Sequence, residues 1–125
     1  MLIDHIVISA TDLPGATEFF LRALAPLSLE LIDQGVRSAS LGVGGKLVLC
    51  LQHEPLRPMD TMKISFAASS REKVRECYAA AISAGGQDIH AAPRVQPQLN
   101  RICYSAMVMG PDRHNIEVTT YDSNP

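Results

Sequence analysis

A chain of 125 residues with 46% hydrophobic side chains is the size of one domain, or of two small repeated modules, and can build a real core. Its net charge of −2 and sequence pI of about 6.0, with Lys and Arg scattered rather than clustered, offer no basic face for nucleic acid. No apolar run approaches the length of a membrane span. The start, Met1-Leu-Ile-Asp-His5, reads directly as a strand rather than as a signal peptide. Cys50, Cys77 and Cys103 are an odd number without CxxC spacing, which suits free thiols in a reducing compartment. A cytoplasmic location is the expectation.

In chain order, residues 2–10 read as a strand. Ile3, His5, Val7 and Ser9 share one face, while Leu2, Asp4, Ile6 and Ile8 share the other. Asp12 is a helix N-cap with Pro14 in the first turn. Ala16, Phe19, Phe20, Ala23 and Leu24 then follow helical spacing, and Pro26 ends the helix. Strands are expected near residues 27–33, 36–43 and 46–52, with turns at Gln34-Gly35 and Gly44-Gly45. Residues 53–60, carrying Pro55 and Pro58, read as a linker.

The pattern then restarts. Residues 62–68 read as a strand. Ser69 and Glu72 have capping-box spacing. Val74, Cys77, Tyr78, Ala81 and Ile82 give a second amphipathic helix, stopped by Gly85-Gly86. Each residue of this helical set lies 58 positions after its counterpart in the first, and the same offset pairs Ile6 with Ile64 and His5 with Lys63. Strands follow at 87–90, 101–109 and 114–121, and residues 91–100, with Pro93 and Pro97, read as an irregular loop. The fold class is therefore α+β: one domain over 1–125 made of two βαβββ modules, about 1–53 and 61–121. One helix covers one face of each sheet. The opposite faces carry His5, Cys50, Gln52, Lys63, Ser65, Glu117 and Thr119, and together would form a concave mixed-sheet pocket for a small ligand.

Glu117 carries the sharpest chemical question. It stands between Ile116 and Val118, and a carboxylate on such a strand needs either a wet pocket or a cationic partner. The segments Asp4-His-Ile-Val-Ile-Ser-Ala-Thr-Asp-Leu13, Lys63-Ile-Ser-Phe-Ala-Ala68 and Gly110-Pro-Asp-Arg-His-Asn-Ile-Glu117 resemble the vicinal oxygen chelate superfamily. That superfamily includes glyoxalase I, bleomycin-resistance proteins, fosfomycin-resistance enzymes and extradiol dioxygenases. The last segment resembles its D-P-D-G-x-x-I-E motif, with Gly110 for the first Asp and Arg113 for the Gly.

The resemblance implies a metal site with His5 and Glu117 as ligands. The third histidine of the family pattern falls on Lys63, and the fourth-strand ligand of glyoxalase I falls on or near Cys50. An ammonium has no lone pair to give a cation. The residues leave three roles open for Lys63: a charge partner that replaces the metal and pairs with Glu117 across the sheets, a base of lowered pKa, or a bystander to a metal held by His5, Glu117 and Cys50. A divalent metal (Zn, Mn, Fe or Ni) is thus conceivable, with none tightly bound as the expectation. Cys50 alone reads as a small core hydrophobe. Cys50, Gln52, Arg101 and Thr119 are the candidate substrate contacts, Glu117 and Lys63 the candidate catalytic pair, and Arg94 and Gln96 could reach the pocket mouth. His114 reads as a surface or loop-packing residue.

Three functions follow from the resemblance. One is a metal enzyme of glyoxalase or dioxygenase type acting on a small polar organic molecule. The second is a metal-free, bleomycin-resistance-like binder. The third is a cofactor-less lyase or isomerase using Lys63, Glu117 and His5. A homodimer is the expected assembly, with no nucleic acid or membrane partner.

Overall fold

The computed structural model describes residues 2–55, 61–98 and 101–121. The first half runs β1 (Ile6–Ala10), α1 (Leu13–Ala23), β2 (Glu30–Gln34), β3 (Ser38–Val43) and β4 (Lys46–His53). The second runs β5 (Lys63–Ala67), α2 (Arg71–Ser83), β6 (Gln87–Asp88), β7 (Arg94–Gln98), β8 (Arg101–Met109) and β9 (Asn115–Tyr121). The sheets have matching orders, β1-β4-β3-β2 and β5-β9-β8-β6, with the first two strands of each parallel and the rest antiparallel.

Local chemistry explains the helices. The Asp12 carboxylate accepts the Gly15 N–H at 3.1 Å and so starts α1, with Pro14 harmless in the first turn. Ala16, Phe19, Phe20 and Ala23 face inward, and the two rings meet edge to face at 5.4 Å. Each buried ring contributes about 2 kcal/mol. The cap of α2 is Ser70, whose hydroxyl accepts the Lys73 N–H at 3.2 Å. The expected cap, Ser69, lies one residue too early, because Ser70 is the residue with extended backbone directly before the helix. At the far end Gly85 takes φ of 102°. The Gly85 N–H donates to Ile82 O and the Gly86 N–H to Ala81 O, the paired bonds of a Schellman stop.

The helices pack against each other, and each covers one face of its own sheet. Ile8, Leu49 and Leu51 meet α1, while Ile64, Val108, Ile116 and Val118 meet α2, in one continuous core. Two polar clips also join the halves. Asp112 accepts from the Thr11 N–H at 3.0 Å and the Thr11 hydroxyl at 2.7 Å. His114, 2% exposed, accepts the Met62 N–H on Nδ1 at 2.9 Å and donates from Nε2 to Ser9 O at 3.1 Å. It is a buried joint between the halves, so of the two expected roles, surface or loop packing, the surface one does not hold.

Three further expectations need correction. The first strand begins at Ile6 rather than at residue 2. Residues 91–100 were expected to be irregular, yet Arg94–Gln98 forms β7 along β8. Pro97 is tolerated there because β7 pairs on one side only. Cys50 is half-buried on the sheet face opposite α1 and does not join the core. Part of the expected linker, residues 56–60, lies outside the described residues.

Candidate functional site

Strand alternation on β9 sends Ile116 and Val118 to α2 and leaves Asn115, Glu117 and Thr119 on the opposite face. Glu117 sits between Ser65 of β5 and Met107 of β8 in register, so its backbone is in the sheet interior. It is 7% exposed. Lys63 Nζ lies 4.0 Å from its Oε2. Lys63 and Glu117 belong to adjacent strands of one sheet, so they meet along the sheet and not across two sheets as expected. The lysine side chain is 57% exposed. A pair this long, with one partner in water, contributes at most about 1 kcal/mol. Among the described residues the Glu117 carboxylate accepts no hydrogen bond. Beside it, Thr119 Oγ1 and Asn115 Oδ1 are buried without partners.

Glu117 and Lys63 border a cavity of about 140 Å³ lined also by Arg94, Gln96, Ser105 and Met107 among others, with Thr119 and Asn115 next to Glu117 on the same face but outside the lining. β7 supplies two of the lining residues. Its alternation puts Arg94 opposite Ser105 and Gln96 opposite Cys103, on the Glu117 face. The Gln96 amide donates to the Ser105 hydroxyl, which is itself buried. A larger cleft of about 360 Å³ lies between the start of α1 and the Gly110 turn. Its acidic groups, Asp12 and Asp112, already cap Gly15 and hold Thr11, which leaves the smaller cavity as the chemically open one.

The other candidates are dispersed. His5 Nδ1 bonds Asp4 Oδ1 at 2.8 Å, and Lys46 Nζ lies 3.8 Å from the same carboxylate. The His5 bond, then the Lys46 charge, hold the Asp4 carboxyl below its usual range. Cys50 and Gln52 lie on β4 in the other sheet, opposite Val7 and Ser9. Arg101 stacks over the Tyr121 ring at 3.9 Å on the exposed end of β8. Thr119 shares the Glu117 face. His5, Cys50, Gln52, Arg101 and Thr119 are not among the cavity-lining residues.

A divalent metal does not fit the residues of one chain. Among the described residues no three His, Cys, Asp or Glu side chains gather as a ligand set, and the nearest charged group to Glu117 is an ammonium. Sequence reasoning passed over Ser105 and Met107. The signal that could have found them was the period-2 pattern of β8, which pairs both residues with the Glu117 face.

No protein-family model and no curated protein matches the chain by sequence. Solved structures do match it in shape. A glyoxalase/bleomycin resistance protein from Albidiferax ferrireducens superposes with a TM-score of 0.84 at 18% identity, covering 96% of this chain and 99% of that one. A glyoxalase/bleomycin resistance protein/dioxygenase family enzyme from Burkholderia phytofirmans gives 0.73 at 15%, covering 94% and 96%. A glyoxalase-related enzyme from Fulvimarina pelagi gives 0.72 at 14%, covering 96% and 88%. Identities this low carry architecture and not chemistry. The repeated strand–helix–strand halves, their matching sheet orders and these superpositions over nearly the whole chain together give the protein the glyoxalase/bleomycin-resistance/dioxygenase fold.

Proposed function

We propose that the chain binds a small polar organic molecule in the cavity beside Glu117, without a tightly bound metal. The observation that carries this reading is the Glu117–Lys63 arrangement. A buried carboxylate lies 4.0 Å from an ammonium and lines a cavity with Arg94, Gln96 and Ser105. Such a set recognises charge and hydrogen bonds, whereas a hard or borderline cation needs convergent lone pairs. Metal analysis of protein purified without chelator tests it. Less than about a tenth of an equivalent of Zn, Mn, Fe or Ni is expected, since one carboxylate beside an ammonium binds weakly. Stoichiometric metal on His5 and Glu117 would overturn the reading. Lys63→His removes the opposing charge and is expected to raise zinc affinity by at least about tenfold.

A second copy of the chain is the partner this reading implies. The first sheet has open apolar residues: Val7 is 49% exposed on the face opposite α1, and Leu31 and Ile32 are exposed on the edge strand β2. Exposed apolar residues on an open sheet and its free edge suit an interaction surface. Equilibrium sedimentation is expected to return twice the 13.5 kDa chain mass, and a monomer at high concentration would remove the dimer from the proposal.

The neighbouring folds named as glyoxalases and dioxygenases make catalysis the natural extension. Glu117 is the group available as a base in that case, with Lys63 able to hold developing negative charge at a substrate oxygen.

A further inference from the structure

We infer that the cavity takes a small hydroxycarboxylate, its carboxylate at Lys63 and Arg94 and its hydroxyl toward Glu117, with the Thr119 hydroxyl behind it as a further partner. This rests on reading the cavity as a ligand site and deepens it.

The polar groups divide the cavity into two ends. At the mouth stand two cations, Arg94, which is exposed, and Lys63, whose side chain is more than half exposed. At the floor stands Glu117, and beside it on the same face of β9, outside the lining residues, lie two buried oxygens without hydrogen bonds. Glu117 is 7% exposed with only a 4.0 Å ion pair. Thr119 is 7% exposed and its Oγ1 has no partner. Asn115 Oδ1, two residues before Glu117 on the same face, is also unpartnered. Buried polar groups without partners are uncommon in native proteins and point to a missing occupant. A carboxylate and an amide oxygen can only accept, so that occupant brings a donor.

Charge decides the other end of the ligand. Lys63 and Arg94 together outweigh Glu117, which leaves the cavity with one net positive charge and favours a monoanion. A carboxylate suits a guanidinium by forked hydrogen bonds. A neutral hydroxyl supplies the donor for Glu117 while keeping the ligand's net charge negative, which a protonated amine does not. Size sets the scale: about 140 Å³ is close to the engineered cavity that holds benzene, so the part of the molecule held inside has roughly seven non-hydrogen atoms.

The test is an amide-resolved NMR titration of the full chain with 2-hydroxybutanoate, butanoate and butan-2-ol. The first has both groups, and the others lack the hydroxyl or the carboxylate. Saturable shifts at Ser105, Glu117 and Thr119 are expected from 2-hydroxybutanoate, with affinity at least about tenfold tighter than either analogue. Arg94→Gln is expected to weaken 2-hydroxybutanoate about tenfold and leave butan-2-ol unaffected. Thr119→Val separates ligand recognition from structure. It removes an unpaired buried hydroxyl, so it should raise Tm by about 2 °C while weakening 2-hydroxybutanoate about fivefold. A drop in Tm would make Thr119 structural and overturn its role here. Butanoate or 2-aminobutanoate binding as tightly as 2-hydroxybutanoate would overturn the hydroxycarboxylate assignment and leave the cavity as a ligand site. Silence from all three compounds, with saturable cavity shifts from other fragments, would do the same. Silence from every fragment would overturn the ligand-site reading as well.

Discussion

The two halves share topology and differ in what they do with it. Val7 pairs with Cys50 in the first sheet, and Ser65, its counterpart 58 positions on, pairs with Glu117 in the second. Cys50 is therefore the structural equivalent of Glu117, and Val48-x-Cys50-x-Gln52 the equivalent of Asn115-x-Glu117-x-Thr119. The first triplet lies on a face that stays largely open to solvent. In the second, Glu117 and Thr119 are buried, and Glu117 lines a cavity whose other walls include Ala91 and, from β7, Arg94 and Gln96. In the first half the corresponding place along the sheet belongs to β2, which is exposed throughout. A repeat can thus keep its fold while one copy acquires a polar site and the other keeps a plain surface. The difference came from three side chains and one extra edge strand.

The strongest way to break this comparison is to separate the halves. His114→Ala removes both bonds to Met62 and Ser9 and leaves a cavity at a 2% exposed position. It is expected to lower stability by about 3 kcal/mol in urea unfolding. If the halves depend on this joint, a single transition moves to lower urea, whereas unchanged stability would show that the helix contact alone joins them.

Thiol reactivity sharpens the contrast between open face and core. Burial, then the Glu76 charge, pushes the Cys77 thiol up to about 11 from its ordinary 9.0. At pH 8 its thiolate fraction is about a hundredfold below that of an ordinary thiol. Iodoacetamide should therefore label half-buried Cys50 first and reach Cys77 only after unfolding. A thiol harder to ionise when folded also makes stability fall as pH rises from 9.0 toward 11. Equal labelling rates in the native protein would contradict the packing of α2.

Glu117→Leu is expected to stabilise the ligand-free protein by about 1 kcal/mol, since it exchanges a poorly paired buried carboxylate for apolar volume. Cys50→Leu, at the equivalent open position, should change stability by less than about 0.5 kcal/mol. Destabilisation by Glu117→Leu would mean that the Lys63 pair holds the fold, and the two positions would no longer differ as argued.

The smallest effect compares the turns before the last strand of each half. Gly44 and Gly45 take φ of 59° and 79°, and Asp112 and Arg113 take 57° and 66°. Glycine enters this left-handed region freely, and Asp tolerates it, but Arg does not. Arg113→Gly should add about 0.5 kcal/mol in the same urea assay. A loss of stability would show that the arginine side chain makes a compensating contact.

The sequence by itself determined the architecture. Periods of 2 and 3.6, the caps at Asp12 and Gly85, and the constant offset of 58 are local signals, written in residues a few positions apart, and the sheets and helices follow them. They also located Glu117 and Lys63 on the face away from the helices, because alternation needs no partner to be read. What the tertiary structure decided were the contacts between distant segments. It set Lys63 beside Glu117 within one sheet and drew Arg94 and Gln96 into an edge strand despite Pro97. It also buried His114 between Ser9 and Met62. Each depends on which strands lie next to each other and in what register. Pairing energy is spread over whole strands and is set by packing of the core, so no single residue pattern announces it.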